Sequence, residues 1–267
     1  MTRWVVPGVF GAGCLGLLAL AVSGSRLPEA ERSRTPVLVE LFTSEGCLSC
    51  PPADELLIRL DTEQPVPGAL VVSLGEHVDY WNGQWQDPFS STAFTDRQRE
   101  YQRVLATPAL YTPQMVVDGQ VQLIGSRQQL AHEAIARASK RPKATVSLPR
   151  LDLTWNEVSV DITVSGMAGL EPVHDVDLWI AIAEEGLQTD VTRGENAFRH
   201  LRHGAVVRAL HPVETLTLPV PDHIRAEAVM EIDPEWHTEC LKVVSFLQER
   251  SSRRVLGVTQ RRLRSRY

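Results

Sequence analysis

Two cysteines separated by two residues are the strongest chemical signal in the sequence. Cys47 and Cys50 lie directly before a pair of prolines at which a helix is predicted to begin. Sulfurs at this spacing can bond with little backbone strain, and the partial positive charge of a helix N-terminus favours thiolate over thiol. The pattern predicts thiol–disulfide exchange in which Cys47 attacks a disulfide and Cys50 resolves the mixed disulfide.

The expected activation of Cys47 is modest. Pro51 and Pro52 place the start of the helix at or after Ser49, which leaves Cys47 in the preceding loop. Glu45 lies two residues before Cys47, and its negative charge opposes ionisation of the thiol. We expect the two sulfurs to lie side by side at an accessible edge of the fold, with Cys47 the more exposed of the two.

Two other interpretations of the cysteine pair also fit the sequence. A permanent structural disulfide suits a protein exported to an oxidising compartment. A copper or zinc site could combine the two sulfurs with Cys240, His77 or Met115, but no second CxxC and no HxxxH supplies the usual ligand pairing. We therefore assign no metal ligand and expect no cofactor.

A proline well downstream of the cysteines is the second signal. Pro113 begins a predicted strand, where it can adopt a cis bond that presents the backbone of Thr112 to an incoming extended chain. Together with an upstream CxxC in an α/β order, this proline is typical of a thioredoxin-like arrangement. The residues assigned from this chemistry are Cys47, Cys50 and Pro113 in catalysis, with Thr112 and Tyr111 in substrate binding.

Polar and aromatic residues after the second predicted strand form a third group. His77, Asp79 and Trp81 follow that strand, at the sheet end that also carries the cysteine loop. Because the carboxyl ends of neighbouring strands meet in one crevice, His77 or Asp79 could carry a proton during exchange, and we add all three residues to the substrate-binding set. The alternative is structural: Asp79 caps a turn while the aromatic rings pack over the core.

The elements that must position these residues alternate in type. Their order is strand, helix, strand, helix, strand, strand, helix, and it predicts an α/β sandwich with a mixed sheet. The predicted strands are 36–42, 69–74, 114–118 and 120–124, and the predicted helices begin at 51, 92 and 127. We assign residues 36–141 to this thioredoxin-like domain.

The sequence pattern changes after residues 140–143, where helical periodicity becomes scarce. The predicted strands beyond this point are 146–153, 157–164, 176–183, 205–220, 241–248 and 255–259. They indicate a second, mostly antiparallel domain that resembles a β-sandwich and spans 144–267. Its main polar cluster is expected to bridge the domains or to recognise a client, and it contains Glu195, Asn196, His200, His203 and Arg208.

The N-terminus predicts export. A short positive start is followed by an uncharged stretch over 4–22 and by small residues suited to cleavage, so residues 1–24 are interpreted as a signal peptide, with a retained membrane anchor as the alternative. Export to a secreted or periplasmic location permits disulfides and leaves Cys47, Cys50 and Cys240 in the mature chain. The expected partners are exported protein thiols or disulfides, and membrane contact is expected only through an uncleaved N-terminus.

Composition narrows the function classes. The chain has 27 basic and 33 acidic residues, so its formal net charge of −6 disfavours a nucleic-acid partner. With 43% of its 267 residues hydrophobic, the chain can form a proper core, which excludes intrinsic disorder.

Longer motifs extend the assignment to most of the mature chain. They occupy 39–47, 49–54, 77–81, 87–89 and 111–119, and the likeness continues at 194–196 and 206–210. With these motifs the chain resembles a family of bacterial secreted thioredoxin-like proteins that is classed as a domain of unknown function. The resemblance implies a thioredoxin-like fold with a CxxC pair and a β-rich C-terminal extension, but no particular substrate.

The motif departs from that of ordinary thioredoxins. Those proteins carry an aromatic residue before the first cysteine and Gly-Pro between the two, whereas Gly46 precedes Cys47 here and Leu48 and Ser49 intervene. The redox potential therefore stays open. Our leading hypothesis is an exported thiol–disulfide oxidoreductase, and its alternatives are a binding protein with a structural disulfide and a metal-handling protein.

Overall fold

A computed structural model describes residues 34–170, 175–217 and 219–263 of the chain. The predicted signal peptide, with the alternative of a retained anchor, lies outside the described residues. Within the described part, none of the helices combines the length and the apolar character needed to cross a bilayer.

The first half of the described chain has the predicted order of elements. The strands are β1 (Thr35–Thr43), β2 (Ala69–His77), β3 (Gln114–Val117) and β4 (Val121–Ile124), and the helices are α1 (Pro51–Glu63), α2 (Thr92–Val104) and α3 (Gln128–Ala138). Strand, helix, strand, helix, strand, strand and helix follow one another, which confirms the order predicted from hydrophobic periodicity.

The second half is rich in strands, as predicted, but contains more of them than the pattern indicated. They are β5 (Thr145–Leu153), β6 (Glu157–Ser165), β7 (Val176–Glu184), β8 (Leu187–Asp190), β9 (His200–His203), β10 (Val206–Leu216), β11 (Ile224–Glu231), β12 (Leu241–Glu249) and β13 (Val255–Arg262). β8, β9 and β11 were not predicted. Cys240 ends a short 3-10 turn, Thr238–Cys240, directly before β12 and is partly exposed.

The largest sheet contains eight strands in the order β13-β12-β7-β10-β2-β1-β3-β4. β1 and β2 run parallel, whereas β1 and β3 run antiparallel, so the sheet is mixed. Strands from both halves of the chain enter it, because Val206 of β10 pairs in parallel with Gly75 of β2. The boundary placed between 141 and 144 falls between α3 and β5, and the division into two domains stays a prediction.

A three-stranded sheet, β11-β6-β5, packs over one end of the large sheet. Every second residue of β6 is buried, which is the alternation expected of a strand with one face on a core. Val158, Val160 and Ile162 from β6 pack with Leu178 and Val243 of the large sheet. This part of the molecule therefore has two β layers with an apolar core between them.

Helix α1 is held against the large sheet by its apolar face. Leu56, Leu57 and Leu60 are buried and pack with Val39 and Leu41 of β1. Their spacing places them on one side of the helix. This packing fixes the position of the N-terminus of α1, which carries the cysteine pair.

Candidate functional site

The turn from β1 into α1 carries a disulfide bond between Cys47 and Cys50, whose Cα atoms lie 5.4 Å apart. Cys50 is the N-cap residue of α1, and Pro51 is its first helical residue. The amide of Cys50 donates to the carbonyl of Cys47, which closes the turn. The predicted start of the helix and the loop position of Cys47 are therefore confirmed.

The disulfide does not lie at an accessible edge, which corrects the expectation of an exposed Cys47. Cys47 has a relative exposure of 1% and Cys50 of 0%, whereas the intervening Leu48 is 54% exposed and Ser49 is also exposed. The surface of the CxxC loop therefore consists of the two residues between the cysteines, and the sulfurs lie directly beneath it.

A segment from the second half of the chain covers the pair and explains its burial. The side-chain amide of Asn196 donates to the carbonyl oxygens of Glu45 (2.8 Å) and Cys47 (2.9 Å). The carboxylate of Glu195 accepts a hydrogen bond from the amide of Leu48 at 3.1 Å. We call residues 194–196 the covering segment. Two members of the predicted polar cluster thus bridge the two halves of the chain at the cysteine loop.

Glu45 is the centre of a buried polar network beside the disulfide. Its two carboxylate oxygens contact Trp85 Nε1 at 2.7 Å and His203 Nε2 at 2.9 Å. Its amide donates to Asp87, whose carboxylate also contacts His77 Nδ1 at 2.7 Å. The rings of His77 and His203 lie 4.9 Å apart in an edge-to-face arrangement. The negative charge of Glu45 therefore faces an indole and an imidazole, beneath the loop that carries Cys47.

Two acids of this region, Asp54 and Asp87, have pKa values that are shifted in opposite directions. Burial raises the pKa of Asp54 to about 7, Asp87 and Glu45 add to the rise, and His203 opposes it. Burial also acts to raise the pKa of Asp87, but the charge of His77 and the hydrogen bonds to Asp87 outweigh this effect and lower the value to about 2. Asp54 is thus the acid of this region whose proton is exchangeable near neutral pH.

Trp81 connects the cysteine loop to the segment before β3. Its indole Nε1 donates to Thr112 Oγ1 at 2.8 Å. A methyl group built on Gly46 would lie only 3.0 Å from Trp81 Cβ, so Trp81 packs directly against the residue before Cys47. The structure thus brings Trp81 and Thr112 together with the cysteine loop.

Pro113 lies beside the first turn of α1. The Thr112–Pro113 peptide bond is cis. A methyl group built on Gly125 would lie 3.0 Å from Ala53 Cβ and 3.2 Å from Pro113 Cβ, so Ala53 and Pro113 both pack against this glycine. Pro113 therefore lies close to the first turn of α1.

Three other predicted residues have partners of their own. Both carboxylate oxygens of Asp79 accept hydrogen bonds from Thr92 and Thr95 in the first turn of α2, and these bonds lower the pKa of Asp79. Asp79 therefore ties the loop after β2 to the first turn of α2, whose N-cap residue is Ser91. The hydroxyl of Tyr111 donates to the side chain of Gln122 on β4 and so makes its hydrogen bond outside the cysteine loop. His77 is buried in the Glu45 network.

The described residues contain no group of three or more histidine, cysteine, aspartate or glutamate side chains arranged to hold a metal ion. Met115, which was considered as a copper ligand, is fully buried and packs in the apolar core with Val39 and Leu41.

A family model described as "Protein of unknown function (DUF1223)" matches residues 38–248, which include the cysteine loop, the Glu45 network and the covering segment. The chain belongs to the DUF1223 family. A comparison with curated proteins found no match.

Solved structures share the architecture of this DUF1223 protein. Protein AGR_C_4864 from Agrobacterium tumefaciens is 24% identical, with a TM-score of 0.65 over 88% of this chain and 97% of its own. HBP35 of Porphyromonas gingivalis is 14% identical, with a TM-score of 0.63 over 86% of this chain and 76% of its own. At these identities the likeness concerns the fold alone.

Sequence reasoning missed the central members of the site in this DUF1223 protein. Asp54 and Asp87 are predicted only as members of the motifs 49–54 and 87–89, without a role in the site. Helical spacing supplied a signal for Asp54, because it lies three residues before the buried Leu57 on the same face of α1. No local signal marked Glu45 and His203 as partners, because 158 residues separate them in the chain.

Proposed function

We propose that this protein is an exported, thioredoxin-like thiol–disulfide exchange protein whose redox pair is Cys47 and Cys50. The observation that carries the proposal is the position of the disulfide: it lies at the N-terminus of a long, well-packed helix, with the buried carboxyl of Asp54 one turn further along. The N-terminus of a helix stabilises a thiolate, which is the species that forms when the disulfide is opened.

The exchange follows from this arrangement. A client thiolate attacks the sulfur of Cys47, the Cys47–Cys50 bond breaks, and Cys50 leaves as a thiolate that can take a proton from Asp54. A second client thiolate then attacks the client sulfur of the mixed disulfide and releases Cys47. Two electrons pass from the client to the protein, the client gains a disulfide, and the protein holds a dithiol. The reverse sequence reduces a client disulfide.

The segment 111–113 is the proposed client-binding edge. Thr112 lies against Trp81 and next to Pro113, which packs close to the first turn of α1. An extended client chain that pairs with the backbone at Thr112 would therefore run past the cysteine loop. Exported protein thiols or disulfides are the proposed clients, and neither a cofactor nor a nucleic acid is part of the proposal.

Export is proposed from the sequence. An uncharged N-terminal stretch after a short positive start is typical of a signal peptide, and a disulfide persists in oxidising compartments. Secretion or periplasmic residence would supply both the oxidant and the clients. Membrane contact is proposed only through an N-terminus that is not cleaved.

A structural role for the disulfide is the second candidate, and a specific observation favours it. Both cysteines are buried, and the carbonyl of Cys47 is bonded to Asn196. For exchange to occur, the covering segment must move far enough for a client sulfur to reach Cys47. If the disulfide is structural, the covering segment stays in place over Cys47 for as long as the protein is folded.

Trapping of mixed disulfides separates the two candidates. Cys50→Ser leaves Cys47 without a resolving partner, so exchange predicts covalent adducts with exported proteins that are released by reductant. Cys240→Ser is introduced in all variants to remove the third thiol, and Cys47→Ser is the matched control in which no adduct is expected. Adducts of equal amount in both variants, or none in either, would argue for the structural role.

A further inference from the structure

A cavity of about 400 Å³ opens between helix α2 and the second half of the large sheet. Its walls come from α2, β7, β10 and the turn between β12 and β13, and none of them belongs to the cysteine site. The residues that line it include Glu100, Arg103, Trp179, Arg250 and Arg253.

Two hydrogen-bond donors in the wall of this cavity have no acceptor. The side chain of Arg253 is only 7% exposed, and its Nε finds no hydrogen-bond partner in the described part of the chain. The indole Nε1 of Trp179 is also buried without an acceptor. Buried donors without acceptors are rare because each costs about 1–3 kcal/mol of desolvation, so two of them beside one cavity call for a partner inside it.

The charges around the cavity favour an anion as that partner. Three arginines and two acids, Glu100 and Asp177, line it. Asp177 already has two partners, because it accepts a hydrogen bond from Thr215 and lies 3.4 Å from Arg250. Glu100 is about half-exposed and pairs with Arg253 from the cavity rim.

Arg253 keeps its charge in this setting. Burial and the nearby charge of Arg97 lower its pKa to about 10, so the group is still cationic at neutral pH. Its backbone is anchored, because the side chain of Gln248 donates to the carbonyl of Arg253 at 2.7 Å. A charged guanidinium whose Nε lacks an acceptor is suited to a charge-assisted hydrogen bond with an oxyanion.

We propose that this cavity binds a small oxyanion, a phosphate or carboxylate group, between Arg253 and Trp179. The oxygens of the anion accept hydrogen bonds from Arg253 Nε and Trp179 Nε1, while Arg103 and Arg250 contribute positive charge at the mouth. Glu100 moves away from Arg253 as the anion enters. This site is independent of the cysteine pair and of any redox role.

The test is a titration of the complete exported chain with inorganic phosphate and, separately, with acetate. Binding is followed by calorimetry and by the ¹⁵N–¹H signal of the Trp179 indole, which Trp179→Phe identifies. We expect saturable binding of at least one anion, with a downfield shift of the indole proton. Phosphate binding without acetate binding identifies a phosphate group as the ligand, and the reverse identifies a carboxylate.

Variants show whether the binding occurs at this cavity. Arg253→Gln should raise the dissociation constant about tenfold or more, because it removes a charge-assisted hydrogen bond. If Arg253→Gln does not fold, Arg103→Gln at the exposed mouth should still weaken binding severalfold. Arg225→Gln, an exposed arginine on β11 outside the cavity, is the control. No saturable binding of either anion, or binding that is equal in all of these variants, would overturn the proposal.

Discussion

At the scale of single residues, the site depends on carboxylates that are buried next to the disulfide. Glu45 uses both of its oxygens, one toward Trp85 and one toward His203, and it carries its charge fully buried. A buried charge of this kind is tolerated only when it is fully hydrogen-bonded. Glu45 therefore stabilises the cysteine loop through its contacts, whatever effect its charge has on the thiol.

Glu45→Gln tests this role. The substitution keeps the shape of the side chain but removes the charge and turns one acceptor into a donor that faces His203, so the free energy of unfolding should fall by about 2 kcal/mol. Urea unfolding of the oxidised protein measures the change. Glu63→Gln, at the exposed end of α1, is the matched control and should have no measurable effect. Equal stability of both variants would remove Glu45 from the account.

Asp54 predicts a pH dependence of stability. Its pKa is 3.8 in an unfolded chain and about 7 in the folded protein, so the folded state binds more protons between these values. The stabilising contribution is therefore complete below 3.8 and is lost as the pH rises toward 7, by about 4 kcal/mol at most. Asp87 acts in a separate window, because its lowered pKa gives stability that is lost only as the pH falls from 3.8 toward 2.

Asp54→Asn should flatten the first of these slopes. Free energies of unfolding at several values of pH between 4 and 8 are compared for the variant and the unchanged protein, with Asp96→Asn, an exposed acid on α2, as control. Stability of the unchanged protein should fall as the pH rises through this range, and that of Asp54→Asn should fall less steeply, because only the raised pKa values of Glu76 and Asp118 still contribute. Parallel curves for the two proteins would show that Asp54 does not hold its proton as proposed.

At the scale of elements, the site is formed where helix α1 meets the covering segment. α1 fixes Cys50 through the buried face of the helix, and residues 194–196, between β8 and β9, lie over the loop in front of it. A second contact supports this arrangement, because the guanidinium of Arg202 on β9 forms a bidentate ion pair with the carboxylate of Glu55 on α1. Access to the disulfide is therefore controlled by an element that is distant in sequence.

Asn196→Ala tests the control of access. Loss of its two hydrogen bonds to the cysteine loop should speed reduction of the folded disulfide by dithiothreitol about thirtyfold, since each of the two bonds is worth about 1 kcal/mol. Asn156→Ala, in the turn before β6, is the matched control. Val160→Ala destabilises a core remote from the disulfide in sequence, and it should leave the rate nearly unchanged. If Val160→Ala speeds reduction as much as Asn196→Ala, reduction follows global unfolding instead.

The elements show how far sequence alone could lead. The order of strands and helices in the first half was predicted because each element there carries its own periodicity, such as the buried stripe of α1. Strands β8 and β9 were missed because LQTD and HLRH are short and largely polar. The network around Glu45 could not be predicted, since His203 reaches it only through tertiary folding. For the same reason the expectation of an exposed Cys47 was wrong, because the residues that bury it come from the second half of the chain.

At the scale of the whole molecule, the two halves of the chain share one sheet. β10 follows directly after the hairpin that contacts the cysteine loop and pairs with β2. The close approach depends on glycines: a methyl group built on Gly204 would lie 2.6 Å from Ile58 Cγ1, and one on Gly75 would lie 3.0 Å from the carbonyl oxygen of Gly204. The site thus exists only when both halves are assembled.

Gly204→Ala tests this dependence. The added methyl group must displace Ile58 of α1, so the free energy of unfolding should fall by about 1–3 kcal/mol. Gly83→Ala is the matched control, because a methyl group there would meet nothing within 4 Å. Chemical denaturation of both variants measures the difference. An unchanged free energy of unfolding in Gly204→Ala would show that α1 and the second half of the chain are not closely packed at this position.

The most direct test of the redox account is an equilibrium titration of the folded protein in glutathione buffers of graded potential. Cys240→Ser is used so that only Cys47 and Cys50 report, and folding is followed in the same samples by the near-ultraviolet signal of the aromatic side chains. The account predicts a reversible two-electron transition in protein that stays folded throughout. A disulfide that resists every buffer until the chain unfolds would contradict it and leave Cys47–Cys50 as a structural bond.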